Sequence, residues 1–493
     1  MADQEREIES KFDVAPDFLL GDLTSLIGPE DSLAITDNQL VSVYYDTPQA
    51  DLHRSRLTLR RRTGTSDTGW HLKVPGEGFR TELRWPLEGN AGMPEELRRL
   101  IAPFTHGIEV TEIIRLRITR TRHRIADGHG DLRMEFADDQ VRADALELPV
   151  HTRRWHEVEV ELGPSGTAAD LDASAELLLS RGAFVSRSGS KLTRALYGQS
   201  RRSVPADTAG GVLLDYLDTQ ADAITAGHFA ISLMPFDPEA TDEPHEAVHK
   251  TRVGIRRYRA ALRVFAPMVD RSRAARLDAE LKWLAAELGE VRDREVLRIR
   301  LQRAVEDLPA YLIVGPVARQ IDEILLAELH EHADTVLRIM SEPRYHDLLD
   351  ELAQWRVDPP FTEAADAPTS ELAGYVRAAR KTLARRMKRA SAPNAPDELL
   401  HRARKGGKRA RYAAEATADV LGSQASRLAK RATKLQTLLG EHQDAVVATA
   451  LLRRIADQLA ERGENAFSYG VLVAEQRRVA AESRAAAQDA AQT

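Results

Sequence analysis

Hydrophobic and polar positions alternate along the first 200 residues in short runs separated by turn signals. In the run from Glu7 to Phe12, a period of two places Glu7, Glu9 and Lys11 on one face and Ile8 and Phe12 on the other. Pro and Gly clusters end several such runs, at 46–48, 75–78, 127–130 and 163–166. Helical segments are expected near 16–27, 94–103 and 168–181. The pattern predicts a mainly antiparallel β domain over residues 1–200.

The rest of the chain has helical periodicity and divides into two similar parts. Ala, Leu, Glu and Arg dominate from about residue 211, and the Pro-containing segment 358–370 interrupts the pattern. The expected segments are, in order, a linker at 201–210, a helical domain at 211–485 with repeats at about 211–357 and 371–485, and a flexible tail at 486–493. We expect an α+β multidomain protein, in which an N-terminal antiparallel β-barrel precedes a C-terminal all-α region of duplicated four-helix bundles.

The duplication is visible in a pattern of basic residues that occurs twice, 152 residues apart (from 249 to 401). Its members follow a 3-4-3-4 spacing and share one helix face, where apolar residues usually pack. We call them the basic seam: His249, Arg252, Arg256, Arg259 and Arg263 in the first copy, and His401, Arg404, Lys408 and Arg411 in the second. A Leu-Gly-Glu motif follows each copy, at 288–290 and 439–441. Two matches at nearly constant spacing indicate an internal repeat.

A row of cations cannot be buried against an apolar helix without counter-charge, so the basic seam predicts an anionic ligand. The alternative is a solvated basic face that pairs with Asp and Glu of the same bundle. Aromatic residues make up 5% of the chain, and only Tyr258 and Tyr412 lie among the basic residues. Sequence-specific nucleic-acid recognition is therefore not expected, although the DNA backbone offers the same phosphate oxygens. His249 and His401 are interpreted as groups that shape the pocket or hydrogen-bond a phosphate.

Composition restricts the class of protein further. The formal net charge is −7, so an anion site must arise from local clustering of cations. The chain contains no cysteines, which excludes disulfides and thiolate metal sites. We see no apolar segment typical of a signal peptide and no run of about eighteen apolar residues, and we therefore expect a cytoplasmic protein without a membrane span.

Several strands of the β domain carry charged faces of opposite sign. Arg60 and Arg62 share one strand face, and Glu157, Glu159 and Glu161 share another. One such face is explained as the wet side of a sheet, but their recurrence on several strands favours a barrel with a charged lumen. Arg and Lys match phosphate oxygens, and carboxylates hold Mg²⁺ or Mn²⁺. Phosphoryl transfer needs both kinds of group.

An ordered series of motifs in this domain resembles the CYTH, or triphosphate tunnel metalloenzyme, superfamily. The series begins with Glu7-x-Glu9-x-Lys11 and continues with Tyr45-Asp46-Thr47-Pro48, Leu59-Arg60-x-Arg62, Leu72-Lys73-x-Pro75, Arg80-x-Glu82, Glu157-x-Glu159-x-Glu161 and Ser190-Lys191. The resemblance implies an eight-stranded antiparallel tunnel that hydrolyses or cyclises triphosphates with Mg²⁺ or Mn²⁺ as cofactor.

The resemblance also implies roles for single residues. Basic residues would bind the triphosphate: Lys11, Arg60, Arg62, Lys73, Arg80, Arg120, Arg122 and Lys191. Carboxylates would hold the metal: Glu7, Glu9, Asp138, Glu157 and Glu159. The expected catalytic residues, which position or activate the attacking water, are Glu7, Glu9 and Lys73. Two choices stay open: Arg117, Arg120 or Arg122 on one strand, and Asp138 or Asp139 on another.

The basic seam and its Leu-Gly-Glu motifs resemble the CHAD domain over about residues 215–485. The resemblance implies paired four-helix bundles that bind inorganic polyphosphate along a basic cavity. The implied lining consists of the basic seam together with Lys282, Arg292, Lys430 and Lys434. We therefore expect an inorganic triphosphatase that binds polyphosphate and associates with polyphosphate granules. The alternatives are a non-catalytic polyphosphate-binding protein, and a triphosphatase for an organic substrate such as thiamine triphosphate or a nucleotide.

Overall fold

The protein is described by a computed structural model. The described residues are 3–64, 67–76, 80–87, 92–146, 152–186, 188, 190–197, 204–233, 243–392 and 395–492. The chain divides into two compact units. One contains residues 1–203 with 352–357, and the other contains residues 204–351 with 358–493.

The N-terminal unit is built around one antiparallel sheet. Its ten strands are β1 (Asp3–Glu7), β2 (Glu9–Val14), β3 (Ser32–Asp46), β4 (Thr58–Thr63), β5 (Gly69–Pro75), β6 (Arg80–Pro86), β7 (Thr111–Ala126), β8 (Leu132–Ala145), β9 (Thr152–Leu162) and β10 (Phe184–Val185). The hydrogen-bonded order is β1-β6-β5-β4-β3-β7-β8-β9-β2-β10. Every described neighbouring pair is antiparallel, as the alternation predicts.

The N-terminal segment joins the two ends of this order. β1 and β2 are successive parts of that segment, and Ile8 separates them. The first part pairs with β6 and the second with β9, while the Ile8 carbonyl accepts a 3.0 Å hydrogen bond from the Leu162 N–H. The hydrogen-bonded ladder is therefore completed through the covalent chain at Ile8. The segment and β3–β9 make eight strands around a lumen, which confirms the predicted tunnel.

The tunnel inverts the usual arrangement of a small barrel, because its apolar face points outward. Phe12, Phe136 and Val160 form a core with Leu178 on this outer face, while the intervening charged residues face the lumen. Four helices accompany the sheet: α1 (Asp51–Arg54), α2 (Glu95–Thr105), α3 (Ala168–Ser180) and α4 (Lys191–Tyr197). The helices predicted near 94–103 and 168–181 are α2 and α3. The one predicted near 16–27 is only a 3₁₀ turn at Thr24–Leu26.

The C-terminal unit is all-α, as predicted. The helices from residue 204 onward are α5 (Ala209–Leu233), α6 (Glu243–Val264), α7 (Arg271–Glu306), α8 (Val317–Ile339), α9 (Pro343–Val357), α10 (Leu372–Ala390), α11 (Asp397–Ala416), α12 (Ala418–Leu421), α13 (Ser423–Glu461) and α14 (Phe467–Gln492). The end of α9, residues 352–357, is grouped with the N-terminal unit. Helices α5, α6, α7 and α8 correspond to α10, α11, α13 and α14, because α6 and α11 carry the basic seam and α7 and α13 carry the Leu-Gly-Glu motifs.

The two repeats share a hydrophobic core. Leu301 and Leu325 of the first repeat pack in one cluster with Leu452 and Leu472 of the second. Burial of these side chains holds α7, α8, α13 and α14 together. As far as the structure describes them, the seam helices α6 and α11 do not contribute to this cluster and carry charge instead. No helix in the described part of the chain has the length and apolar character needed to cross a membrane.

Candidate functional site

The lumen of the N-terminal unit is a charged cavity of about 710 Å³. Ten basic and six acidic side chains line it in the part of the chain that the structure describes: Lys11, Arg60, Arg62, Lys73, Arg80, Arg84, Arg120, Arg122, Arg124 and Lys191, with Glu9, Asp67, Glu82, Glu135, Glu159 and Glu161. Strand register places them together, since Lys11 lies opposite Glu159 and Arg120 opposite Asp139. The excess of cations makes the cavity suitable for an anion.

Glu159 is the centre of a buried ionic cluster at one side of the lumen. Its carboxylate accepts hydrogen bonds from Lys11 and from Arg120, the latter at 3.3 Å, and lies 2.6 Å from Lys191 Nζ. Arg120 also forms a two-pronged ion pair with Asp139 at 2.6 Å. Multidentate charge-assisted bonds of this kind fix the geometry of every partner.

The pKa values show that the cluster stays charged. Burial opposes ionisation of Glu159, but Lys11, Lys191 and Arg120 outweigh it and hold the pKa of this carboxyl well below its usual range. Burial likewise disfavours the charged forms of Lys11 and Lys191, yet their neighbouring carboxylates raise the pKa of both amines above the ordinary value. Each charge is thus maintained by its partners.

Two groups of carboxylates in this cluster offer oxygen ligands for a cation. One consists of Glu9, Glu159 and Glu161, and the other of Asp139, Glu157 and Glu159; in each, one ligand atom per residue lies within 4.8 Å of the others. An all-oxygen, all-anionic donor set fits a hard divalent ion such as Mg²⁺ or Mn²⁺. The residues present therefore fit a metal, and Glu159 belongs to both groups.

A second cluster surrounds Glu82 on β6. Its carboxylate pairs with Arg60 at 2.8 Å and Arg84 at 2.7 Å, and lies 3.9 Å from Lys73 Nζ. Burial opposes its ionisation, but Lys73 and Arg60 hold the pKa of Glu82 well below its usual range. Cations on three neighbouring strands therefore converge on one carboxylate, and positive charge is in excess in this part of the lumen.

The structure places most predicted tunnel residues in the lumen and separates the open alternatives. Arg120 and Arg122 line the cavity, whereas Arg117 lies on the outside and pairs with Asp144. Asp138, predicted as a metal ligand, points to the opposite face of β8 and bonds His156 at 2.5 Å. Asp139 takes the inward position instead, since neighbouring residues of a strand face opposite sides. We therefore replace Asp138 with Asp139 in the candidate metal set.

Of the remaining predicted tunnel residues, several lie in or beside the lumen, and one has a side chain that the structure does not describe. Glu9, Lys11 and Lys191 belong to the Glu159 cluster, and Arg80 lines the cavity. The backbone of Glu7 lies in β1 opposite Arg80, but its side chain is outside the described residues. The charged lumen residues that neither the motif series nor the predicted roles included are Asp67, Arg84, Arg124 and Glu135. Arg84 and Arg124 continue a period of two from Arg80 and Arg122, and that periodicity was the signal available in the sequence.

The Tyr45-Asp46-Thr47-Pro48 motif is structural. The buried Asp46 carboxylate accepts hydrogen bonds from the N–H groups of Thr47, Leu52 and His53, at 2.8, 2.9 and 2.9 Å. These bonds fix the turn into α1, and burial raises the pKa of Asp46 to about 6 despite them. The motif therefore supports the strand that ends at Asp46 and supplies no group to the lumen.

In the C-terminal unit, the two copies of the basic seam lie on α6 and α11, two helices in contact with each other that carry charges of the same sign. Part of the seam is neutralised: Arg252 bonds Asp293 at 3.1 Å, Arg259 and Arg263 share Asp278, and Arg411 bonds Glu415 at 2.8 Å. Within the described residues, Arg256, Arg404 and Lys408 form no ion pair closer than 4 Å. The alternative of a solvated face whose charges are all paired therefore applies to the neutralised arginines. It does not apply to Arg256, Arg404 and Lys408.

Lys408 reports the electrostatic potential at this place. Burial lowers its pKa, the nearby Arg404, Arg256 and Arg252 lower it further, and the value falls to about 7 despite Asp444. Burial and the adjacent cations also lower the pKa values of His249 and His401. The lowered pKa of Lys408 therefore reflects burial first and a local excess of positive charge second, which Asp444 offsets only in part.

The glycines of the Leu-Gly-Glu motifs lie beside this cluster. Arg252 donates a 3.3 Å hydrogen bond to the carbonyl of Gly289, and an Arg404 guanidinium nitrogen lies 3.8 Å from the position of a Cβ on Gly440. The duplicated motif therefore places one arginine of each repeat against a glycine of the next long helix. Among the predicted additions, Arg292 bonds Glu295, and three lysines are exposed: Lys282, Lys430 and Lys434.

Comparison with known proteins was made for both units. The CYTH domain matches residues 5–196, and the CHAD domain matches residues 233–453. The uncharacterized protein Rv2226 of Mycobacterium tuberculosis is 32% identical over 498 residues, which cover 94% of this chain and 92% of the relative. Two solved structures are each 25% identical. PptA from Streptomyces chartreusis covers 58% of this chain and 99% of its own, with a TM-score of 0.46, and the CHAD domain from Ricinus communis covers 60% and 95%, with a TM-score of 0.47.

Proposed function

Because the chain belongs to the family in which a CYTH domain precedes a CHAD domain, we propose that it hydrolyses inorganic triphosphate and binds inorganic polyphosphate. CYTH domains act on triphosphates in a metal-dependent way, and the tunnel is the site that this chain offers for that chemistry. The seam of the CHAD domain is the proposed holding site for the longer polyanion.

One observation carries the enzymatic part of the proposal. The same cavity holds ten basic side chains and a carboxylate cluster whose oxygens lie within 4.8 Å of one another. A cavity that only held phosphate would gain nothing from buried carboxylates, which repel the ligand. Cations that neutralise phosphate oxygens, together with carboxylates that hold a metal, are the combination that phosphoryl transfer requires.

The residues have separable roles in the proposed reaction. Arg60, Arg62 and Arg120 bind phosphate oxygens and keep the chain extended. Either carboxylate group, Glu9, Glu159 and Glu161 or Asp139, Glu157 and Glu159, would hold the metal. A bound Mg²⁺ or Mn²⁺ would polarise the phosphate that is attacked. Water adds to the terminal phosphorus while the P–O anhydride bond breaks, so that orthophosphate and pyrophosphate are released. Lys73, whose Nζ lies 3.9 Å from the Glu82 carboxylate, would orient that water or neutralise the departing oxygen.

The test of the enzymatic part is phosphate release from tripolyphosphate by the full chain with Mg²⁺ or Mn²⁺. Glu159→Gln and Lys73→Met should each lower kcat/KM at least about 100-fold. Arg117→Gln is the matched control, because Arg117 lies outside the lumen, and it should leave the rate unchanged. Folded wild-type protein that releases no phosphate from tripolyphosphate, ATP or thiamine triphosphate would overturn the proposal. Faster turnover of ATP or thiamine triphosphate than of tripolyphosphate would identify the organic triphosphate as the substrate instead.

The polyphosphate part rests on the uncompensated cations Arg256, Arg404 and Lys408. The double variant Arg256→Glu with Lys408→Glu should abolish binding of long-chain polyphosphate, whereas tripolyphosphate turnover in the tunnel should persist. Wild-type affinity should fall steeply as salt rises, because each contacted phosphate releases counterions. Unchanged affinity of the double variant would show that the seam is not the binding site.

A further inference from the structure

A basic groove lies between α10 and α11 in the second repeat. It has a volume of about 600 Å³, and six of its seven lining residues are cations: Arg385, Arg386 and Arg389 from α10, and Arg402, Lys405 and Arg409 from α11. Leu399 is the seventh. No ion pair closer than 4 Å neutralises any of the six within the described part of the chain. None of the six belongs to the basic seam as defined above.

The groove depends on a close helix contact that differs between the repeats. Gly406 allows α10 to approach α11, and the Cδ atom of Arg386 lies 3.1 Å from where a Cβ would stand. Arg386 then donates a 3.1 Å hydrogen bond to the Arg402 carbonyl. The equivalent glycine of the first repeat, Gly254, instead faces buried Ala223. The same packing position is therefore apolar in one repeat and cationic in the other.

Arg409 connects the groove with the basic seam. Burial lowers its pKa, and Arg263 and Arg386 lower it further, so this residue lies between a seam arginine and a groove arginine. The repeat offset relates Arg409 to Arg257, and Arg263 to Glu415 (from 257 to 409 and from 263 to 415). Arg257 pairs with Glu415 at 3.2 Å. The corresponding positions in the other half thus hold two cations, of which Arg263 pairs with Asp278, whereas Arg257 and Glu415 pair with each other.

We infer that the groove is a second anion site, which binds the phosphates of a polyphosphate chain that extend beyond the seam on one side only. The inference rests on the proposed binding of polyphosphate by the seam. Polyphosphate suits the groove better than nucleic acid, because no aromatic side chain among its lining residues offers a stacking surface for bases. A chain held in this way extends beyond the seam on the α10–α11 side and not on the opposite side.

The experiment measures affinity of the full chain for long-chain polyphosphate as a function of salt. Arg386→Glu with Arg389→Glu should weaken binding about tenfold or more and lower the slope of log affinity against log salt by about two. The neutral pair Arg386→Gln with Arg389→Gln should have a smaller effect of the same sign. Arg319→Glu with Arg338→Glu, on the exposed face of α8, makes the same charge change elsewhere and should have little effect.

The outcomes separate this inference from the function on which it rests. If the seam variant of Arg256 and Lys408 loses binding while the groove variant keeps wild-type affinity and slope, the groove inference is wrong and the seam proposal stands. If the seam variant binds as wild type does, both fail. If the groove variant loses affinity for single-stranded DNA but not for polyphosphate, the groove is a nucleic-acid site and the inference is overturned.

Discussion

Lysines of the tunnel and of the basic seam have pKa values shifted in opposite directions. In the tunnel, the carboxylates around Lys11 and Lys191 overcome burial and raise their pKa values. In the basic seam, burial and three arginines lower the pKa of Lys408 to about 7. The difference lies in the partners, since the tunnel supplies an anion for its cations and the seam supplies more cations.

This contrast separates a site that is complete before its ligand binds from one that is not. The tunnel network is held together by its own opposite charges, which preorganises the donors for a reaction. The seam keeps its cations together at the expense of stability, and an anionic ligand relieves the repulsion. Binding to the seam should therefore stabilise the C-terminal unit strongly, and the two units should respond in opposite ways to the loss of a charge.

The largest expected effect is destabilisation of the tunnel by Glu159→Gln. The substitution leaves Lys11, Lys191 and Arg120 with fewer counter-charges in a buried place, and breaking a buried ion pair costs about 3–5 kcal/mol. Hydrogen exchange of β9 in the full chain should accelerate accordingly. Glu95→Gln, at an exposed ion pair with Arg98, is the control and should leave that exchange unchanged. Unaltered protection of β9 in Glu159→Gln would contradict the role of this carboxylate as the centre of the cluster.

The opposite sign is expected for Lys408→Met in the seam. A lysine whose folded pKa is about 7 is penalised when charged, and its removal should stabilise the C-terminal unit by about 2–4 kcal/mol at pH 7. Slower exchange of α11 amides would measure this gain. Lys388→Met, on an exposed position of α10, should change it by no more than about 0.5 kcal/mol. Faster exchange in Lys408→Met would show that the cluster is compensated in the free protein.

Polyphosphate affinity should fall as pH rises from 7 to 9, by up to about tenfold per pH unit. The bound anion raises the pKa of Lys408 above its free value of about 7, so binding takes up a proton in this window and is lost as pH rises. The charged groups that act on Lys408 are Arg404, Arg252, Arg256 and Asp444, and we assign the pH dependence to Lys408. His249 and His401, with lowered pKa values, titrate below it. Lys408→Arg should flatten the profile, and an equally steep profile in that variant would contradict this assignment.

How far these features follow from sequence depends on whether a local period or a tertiary register decides them. The strand alternation identifies Glu157, Glu159 and Glu161 as one face, and the 3-4 spacing identifies the seam. Which of Asp138 and Asp139 faces the lumen depends on the pairing of β8 with β7 and β9. The sequence of β8 alone does not determine that pairing. The basic groove was missed for the same reason, because Arg386 and Arg402 come together only through helix packing at Gly406.

The smallest expected effect concerns two equivalent pairs of charged residues on the seam helices α6 and α11. A double-mutant cycle with glutamine substitutions at Arg257 and Glu415 should give a favourable coupling of about 0.2–1 kcal/mol, as is usual for partly exposed pairs. The same cycle at the corresponding positions Arg409 and Arg263 should give an unfavourable coupling of similar size, because two cations meet there. Couplings of the same sign at the two pairs would show that the repeats do not differ electrostatically at these positions. Opposite signs in the free protein, which converge when polyphosphate is added, would show that the ligand supplies the charge that the second pair lacks.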